Sequence, residues 1–344
     1  MNEAKFDELL TMVTPLIQKE NTMMRDALPA RVKLQIILRH LATGDCFGSL
    51  EALYRVPRCS ISSFFEAVCE AIWIVLRDFI KVPQSESEWR KIMNSFYKMW
   101  NFPNCCGAKD RKLVKIRCLP NSASEYFYYK KNFSIILFAV VDANYNLIYI
   151  DVGTNGRAND ACVFEKSTLN EVITANLLNI PNEGVFVADD AFPLKTNILK
   201  PYNTRGEFNE KHKVFNYRLS RARRVVENAF GILVAKFRIF EKPIPPTVSK
   251  VEQLVKTTCA LHNWLRKTTP NINLQYSLER EDWEKGCIIP GERRQVPSEA
   301  IVGIPQTRLG NHTENARRVR NMFAEKFITT NIVPWQLQMI RRVE

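Results

Sequence analysis

Four acidic positions carry the chemistry this sequence offers: Asp110, Asp160, Asp189 with Asp190 beside it, and Glu227. Asp110 lies just before or at the start of a strand-like segment, and Asp160 follows the Gly153–Asn159 loop. Asp189 ends the apolar run Val185–Ala188, and Glu227 sits on an arginine-rich helical segment. An acid at the end of a buried strand is costly unless it is paired or bound to a metal. Carboxylates converging from separate strands and a helix make an oxygen-rich site that suits Mg²⁺ or Mn²⁺. Two such ions, roughly 4 Å apart, can stabilise both the attacking and the leaving oxygen in phosphodiester cleavage or transfer. Each acid also has a plainer reading. Glu227 has Arg223 four residues back and Arg224 three back, so a helical ion pair accounts for it. Asp160 can cap a helix, and Asp189 or Asp190 can sit in a turn before Pro193. Spacing alone leaves both readings open.

The elements that would position these acids form a recognisable order. The segment Leu113–Arg117 alternates, and Phe133–Val141 and Tyr145–Val152 read as a hairpin turning at Asp142-Ala143-Asn144. Asp160–Ala175 can be a helix, Gly184–Ala188 a buried central strand, and Val251–Leu265 a last helix. The clearest helix is Tyr217–Phe237, with the stripe Leu219, Ala222, Val226, Ala229, Phe230, Leu233 and Phe237. Arg218, Arg221, Arg223 and Arg224 lie off that stripe. Strand, hairpin pair, helix, strand, helix predicts a mixed α/β layer with a sheet core, which suits several folds, the ribonuclease H-like one among them.

The first hundred residues read as helical. Val32, Ile36, Ile37 and Leu41 recur with a period near 3.6 residues and end at Gly44, a C-cap. A short helix from Ser49 to Tyr54, a break at Pro57 and a cap at Ser60 lead into a stripe of Ile61, Phe64, Phe65, Val68 and Ile72. That is the pattern of a helix-turn-helix, and equally of a three-helix packing hairpin. Its would-be reading helix presents Ser62, Ser63, Glu66 and Glu70 and no base. Gln84–Arg90 reads as a hinge. The expected units are a helical, helix-turn-helix-like one over 1–95, the sheet-centred core over 104–266, and a partly helical C-terminal extension over 267–344.

Composition bounds the function classes. Forty-nine bases against 36 acids leave a net charge of +13, which favours a polyanionic partner. The surplus is uneven: +5 over residues 101–135 and +6 over 201–242 bracket −4 over 136–200, while 1–100 is near neutral at +1. A plain DNA-binding protein working through the first hundred residues fits poorly with that neutrality. The longest apolar candidate, Ile135–Val141, is strand-sized, far from the ~18 residues of a membrane span. Glu3, Asp7 and Glu8 read against a signal or transit peptide. Nine cysteines without Cys-x-x-Cys pairs read as buried free thiols in a reducing compartment, and four unclustered histidines as no zinc site.

Three strings resemble a known family: FNYRLSRARRVVENAFGILVAKFRIF (Phe215–Phe240), VFVADDAFPL (Val185–Leu194) and LATGD (Leu41–Asp45). They are similar to the PIF/Harbinger family of DDE transposases and Harbinger transposase-derived nucleases, in their insect-type form. The likeness extends through CGAKD at Cys106–Asp110 and the Leu261–Leu265 helix to Arg317–Gln338. It implies a ribonuclease H-like catalytic core with Asp110, Asp189 and Glu227 as its acids. Asp160 matches a further acid of the metal shell, and Asp190 is the lower-ranked alternative to Asp189. The activity implied is divalent-metal-dependent cleavage of DNA phosphodiesters, with Mg²⁺ or Mn²⁺ as cofactor and water or a DNA 3′ hydroxyl as nucleophile. Lys109, Arg111, Lys112, Lys115, Lys130, Lys131, Arg218, Arg221, Arg223 and Arg224 would contact phosphates. Kinship also implies a separately encoded Myb/SANT-like partner and work in the nucleus, with the cytoplasm as second compartment and homo-oligomerisation left open. One departure stands out: the family reads Asp-Gly-Lys-His where this chain has Asp110-Arg111-Lys112-Leu113. Arginine for glycine is expected to crowd the site. That departure supports the alternative of a domesticated, catalytically impaired scaffold binding DNA or protein in the nucleus.

Overall fold

The computed structural model describes residues 1–24, 26–117, 127–128, 132–155, 167–204, 208–244, 248–269, 279–289, 301–303 and 313–341. The amphipathic periodicity of the first hundred residues resolves into α1 (Glu3–Ile17), α2 (Ala30–Thr43), α3 (Phe47–Tyr54), α4 (Arg58–Leu76) and α5 (Glu86–Trp100). α2 stops at Gly44, as its spacing predicts. Gly44 is left-handed (φ 72°), and a Cβ there would lie 3.0 Å from the backbone oxygen of Arg238. Glycine therefore serves both the turn and the close approach of the 238–241 segment.

Two boundaries differ from the sequence expectation. α4 begins at Arg58 with Pro57 as its cap residue, so Ser60 lies inside the first turn and caps nothing. Gln84–Arg90 is no hinge. Ser85 and Glu88 form a reciprocal capping box that starts α5 at Glu86. The stretch Arg58–Phe79 is long and apolar enough, by length and composition, to cross a membrane. Here its stripe of Ile61, Phe64, Phe65, Val68, Ile72 and Leu76 is buried inside the protein.

The sheet is built on β1 (Cys105–Ile116), which pairs antiparallel with β3 (Asn132–Val141) and parallel with β5 (Val185–Val187). β3 pairs antiparallel with β4 (Leu147–Asn155), and β5 parallel with β6 (Ile198–Leu199). Across the sheet the order is β4-β3-β1-β5-β6, with β2 (Phe127–Tyr128) added to β3. A mixed sheet of this order, flanked by helices, is consistent with a ribonuclease H-like nuclease core. Later in the chain β7 (Arg280–Asp282) and β8 (Cys287–Ile289) form a separate ribbon, and β9 (Ile301–Gly303) adds to β1.

Strand pleating divides β1 between two cores. Ala108 and Val114 face the long helix α7 (Glu210–Lys236) and share a cluster with Leu219, Val226 and Phe230. Leu113 faces the other way, with Phe138, Phe186, Phe192 and Trp89. Leu169 of α6 (Thr168–Thr174) joins that second cluster. The part of Asp160–Ala175 that is described starts at Thr168 with Ser167 as its cap, and Asp160 lies outside the described residues.

The first cluster runs without a break from Leu9 in α1 through the sheet to Ile340. The N-terminal helices join it through α8 (Val248–Thr268), where the Thr257 hydroxyl donates to the Cys69 carbonyl at 3.0 Å. α8 also explains the polar pair inside Leu261–Leu265. The Asn263 side chain accepts from Leu147 N at 2.9 Å and donates to the Leu147 and Phe79 carbonyls. It thereby supplies edge strand β4 with the backbone partners a further strand would give. His262 Nε2 lies 2.9 Å from the Tyr145 carbonyl in the β3–β4 turn, so it carries the proton and donates.

Burial pushes the His262 pKa down to about 3, helped by Arg266 and Lys236 and opposed by the bond to Tyr145. The imidazole is thus neutral in the fold and titrates near 6.5 in the unfolded chain. Its share of stability is full above pH 6.5 and drains as pH falls towards 3, at about 1.4 kcal/mol per pH unit for one proton. Melting scans between pH 7 and 4 should show a shallower decline for His262→Gln than for the wild type. Parallel declines would refute this assignment.

Among the described cysteines, Cys69, Cys105, Cys106 and Cys259 are the buried free thiols expected, whereas Cys46, Cys59 and Cys287 are free but exposed. After the ribbon the chain forms α9 (Glu314–Ile328) and α10 (Gln336–Arg341), both packed on α7.

Candidate active site

The parallel register of β1 with β5 sets Ala108 opposite Val187. Two residues further along each chain come Asp110 and Asp189, at one level on adjacent strands and toward α7. Asp110 is buried, and its Oδ1 accepts from Arg111 N at 2.8 Å. Its Oδ2 lies 3.2 Å from Lys112 Nζ, outside hydrogen-bond geometry. Asp189 Oδ1 accepts from Ala191 N at 3.2 Å, which fixes that carboxylate just beyond the strand. From α7, Glu227 takes an ion pair from Arg223, with Nη2 to Oε1 at 2.7 Å.

Arg223 is the centre of this group. Burial disfavours its charge, yet the carboxylates of Glu227, Asp110 and Asp189 together hold its pKa above the ordinary arginine value. The helical pair that the spacing predicts is therefore present, and the same guanidinium reaches the field of the two strand acids. Lys112, whose Nζ lies 5.8 Å from the centroid of the Phe230 ring, closes one side. Among the described residues no three His, Cys, Asp or Glu side chains are grouped to hold a metal as they stand. The acids that act electrostatically on Arg223 are nevertheless three hard carboxylates, and Asp110 has a buried oxygen that lacks a directed hydrogen bond. That donor chemistry fits Mg²⁺ or Mn²⁺.

Asp190, the alternative second acid, turns elsewhere: its Oδ1 pairs with Lys200 Nζ at 3.1 Å. The altered first-acid motif also reads differently in three dimensions. Positions 111 and 113 alternate with 110 and 112 along β1, so Arg111 and Leu113 project from the opposite face. The buried Arg111 guanidinium lies 4.4 Å from the Phe192 ring centroid, and Leu113 belongs to the second core. Arginine in place of glycine therefore does not crowd Asp110, contrary to the sequence expectation.

Half of the expected phosphate contacts are buried and paired within the protein. Lys109 is fully buried, 4.0 Å from the Phe186 ring centroid, and burial drives its pKa well below the ordinary value. Arg111 is equally enclosed. Arg218 donates to the Asn331 carbonyl at 2.9 Å, to Gln336 Oε1 at 3.0 Å and to the Asn101 carbonyl. Arg221 Nε bonds Glu281 Oε2 at 2.8 Å, and Arg224 Nη1 bonds Glu281 Oε1 at 3.1 Å. Tyr217 and Trp283 donate to the same carboxylate. These three arginines anchor the C-terminal extension to α7 and have no face left for DNA. Of the arginines named on α7, Arg223 alone faces the acids; on β1, Lys112 and Lys115 are half-buried. Lys130 and Lys131, like Asp160, lie outside the described residues.

Glu281 is the residue that sequence reasoning missed. Its neighbour Trp283 does not mark it, because the arginines and the tyrosine it binds lie 57 to 64 positions back along the chain.

Comparison with known proteins bears on this arrangement. Residues 110–263 match the model of the DDE superfamily endonuclease, a span that starts at Asp110 and includes Asp189 and Glu227. That span, together with two curated relatives, makes the chain similar to Harbinger transposase-derived proteins. The protein Antagonist of like heterochromatin protein 1 of Arabidopsis thaliana is 25% identical over 244 residues, 67% of this chain and 61% of its own length. The ALP1-like protein of the same plant is 24% identical over 250 residues, covering 67% and 59% respectively. The chain thus spans less than two thirds of the length of those relatives. No solved structure matches it.

Proposed function

We propose that this chain is a divalent-metal-dependent endonuclease that breaks DNA phosphodiester bonds. The observation that carries the reading is that Asp110, Asp189 and Glu227, from two strands and a helix, all act electrostatically on Arg223. These three acids would hold Mg²⁺ or Mn²⁺, with Asp160 as a fourth. Bound there, the ion supplies positive charge to the phosphoryl oxygens and lowers the pKa of a nucleophilic water. The chain's own groups do the orienting. Arg111 N holds one oxygen of Asp110, and Ala191 N one of Asp189. Lys112 Nζ, 3.2 Å from the other oxygen of Asp110, places a positive charge beside that carboxylate.

Phosphates flanking the scissile bond would meet Lys112, on the acid face of β1, with Lys130 and Lys131 as further candidates. The scaffold alternative drew on Arg111, and its side chain leaves the acid face clear. A DNA substrate puts the protein's work in the nucleus, where a Myb/SANT-like partner would supply target choice. Incubation of the purified chain with supercoiled plasmid tests the reading. Nicking should require Mg²⁺ or Mn²⁺ and stop with EDTA; nicking that persists in EDTA, or none with either metal, contradicts it.

A further inference from the structure

Three carboxylates facing one another repel, and α7 answers this with an internal cation. Arg223 is placed one helical turn before Glu227, with its guanidinium 2.7 Å from that carboxylate and the two strand acids beyond. The side chain is 22% exposed, so it has room to swing outwards. Its neighbours Arg218, Arg221 and Arg224 are fixed by carbonyls and Glu281 and cannot leave. Within one arginine-rich segment, the most solvent-accessible guanidinium is the one at the acids.

Charge balance gives the consequence. Among the described groups, three carboxylates with Lys112 and Arg223 leave one net negative charge. Exchanging Arg223 for a divalent cation leaves none, whereas retaining both makes this group of charges net positive, and the two cations repel at close range. We infer that Arg223 is the exchangeable counter-cation of this site: it neutralises Asp110, Asp189 and Glu227 until a divalent metal ion displaces it. This rests on the metal-site reading above and adds that metal binding is a competition with a residue of the chain itself. A guanidinium serving only as a surface helix pair would not compete.

Calorimetric titration of MnCl₂ into the full chain tests the exchange. Arg223→Gln, which keeps length and polarity and removes the charge, should bind Mn²⁺ about tenfold more tightly than the wild type. Arg223→Lys should stay within about twofold of wild type, since a mobile cation remains. Equal affinities for wild type and Arg223→Gln overturn the exchange while leaving the metal site standing. Weaker binding by Arg223→Gln overturns it too. Absence of Mn²⁺ binding in all three overturns both the exchange and the reading beneath it. Should Arg223→Gln fail to fold without metal, the wild type answers alone. Mg²⁺ should shift the Arg223 Nε–H resonance towards that of a solvated guanidinium, and an unmoved resonance at saturation overturns the exchange.

Discussion

Asp110→Asn, Asp189→Asn and Glu227→Gln should each slow Mg²⁺-dependent nicking of supercoiled plasmid by about a hundredfold or more. The size follows from what each change removes: a unit negative charge from a set of hard oxygen donors, at a position where metal charge stabilises the reacting phosphate by several kcal/mol. Shape is conserved, so lost activity would not report a lost fold. An asparagine at 110 can still accept from Arg111 N, and one at 189 from Ala191 N. The contrast residue is Asp190, whose carboxylate is committed to Lys200. Asp190→Asn should keep nicking within a few-fold of wild type. Gel assays with matched circular dichroism spectra check both, and equal losses at 189 and 190 would count against the site as drawn.

The largest stability effect is expected at Glu281. Its carboxylate receives Arg221, Arg224, Tyr217 and Trp283, and its side chain is 5% exposed. Glu281→Ala strands two guanidinium groups in the interior with Glu279 as the remaining acid, 3.7 Å from Arg224. Removing one partner from a buried pair costs about 3–5 kcal/mol, because the desolvated charge is left behind. Urea unfolding should record a loss of that order, with the ribbon, α9 and α10 loosened from α7. A loss below about 1 kcal/mol would mean the arginines regain solvent when Glu281 is gone, and are nearer a DNA face than their burial implies.

Those same arginines mark where the sequence was hard to read. The stripe from Leu219 to Phe237 announces α7 because apolar positions recur at the helical period. Arg218, Arg221 and Arg224 looked solvent-facing by that rule, since a charge off the stripe is ordinarily exposed. Their partners arrive from the C-terminal extension and from Asn101, at separations no periodicity encodes. Asn263 is a similar case: its role depends on strand β4 having an unpaired edge at Leu147. The Ser85-x-x-Glu88 spacing is itself a capping-box signature, which outweighs the polar composition that suggests a hinge.

The site itself was more legible than its surroundings. Asp110 lies in the middle of β1 and not at a strand start as the sequence predicts, and the parallel pairing of β1 with β5 sets Asp189, just past β5, level with it. The Arg111 question could also have been answered from the pleat. Extending the alternation of Leu113–Arg117 back by two residues puts Arg111 opposite Asp110, on the face away from α7. What no pattern could supply is the tertiary reach of Arg223 beyond its helical partner.

Anomalous diffraction at the manganese edge, from crystals of the full chain grown with MnCl₂, tests the central claim most directly. The account predicts a manganese peak bounded by Asp110, Asp189 and Glu227, with the Arg223 guanidinium displaced from Glu227. A saturated crystal whose manganese lies elsewhere, or nowhere, with Arg223 still paired to Glu227 would contradict it.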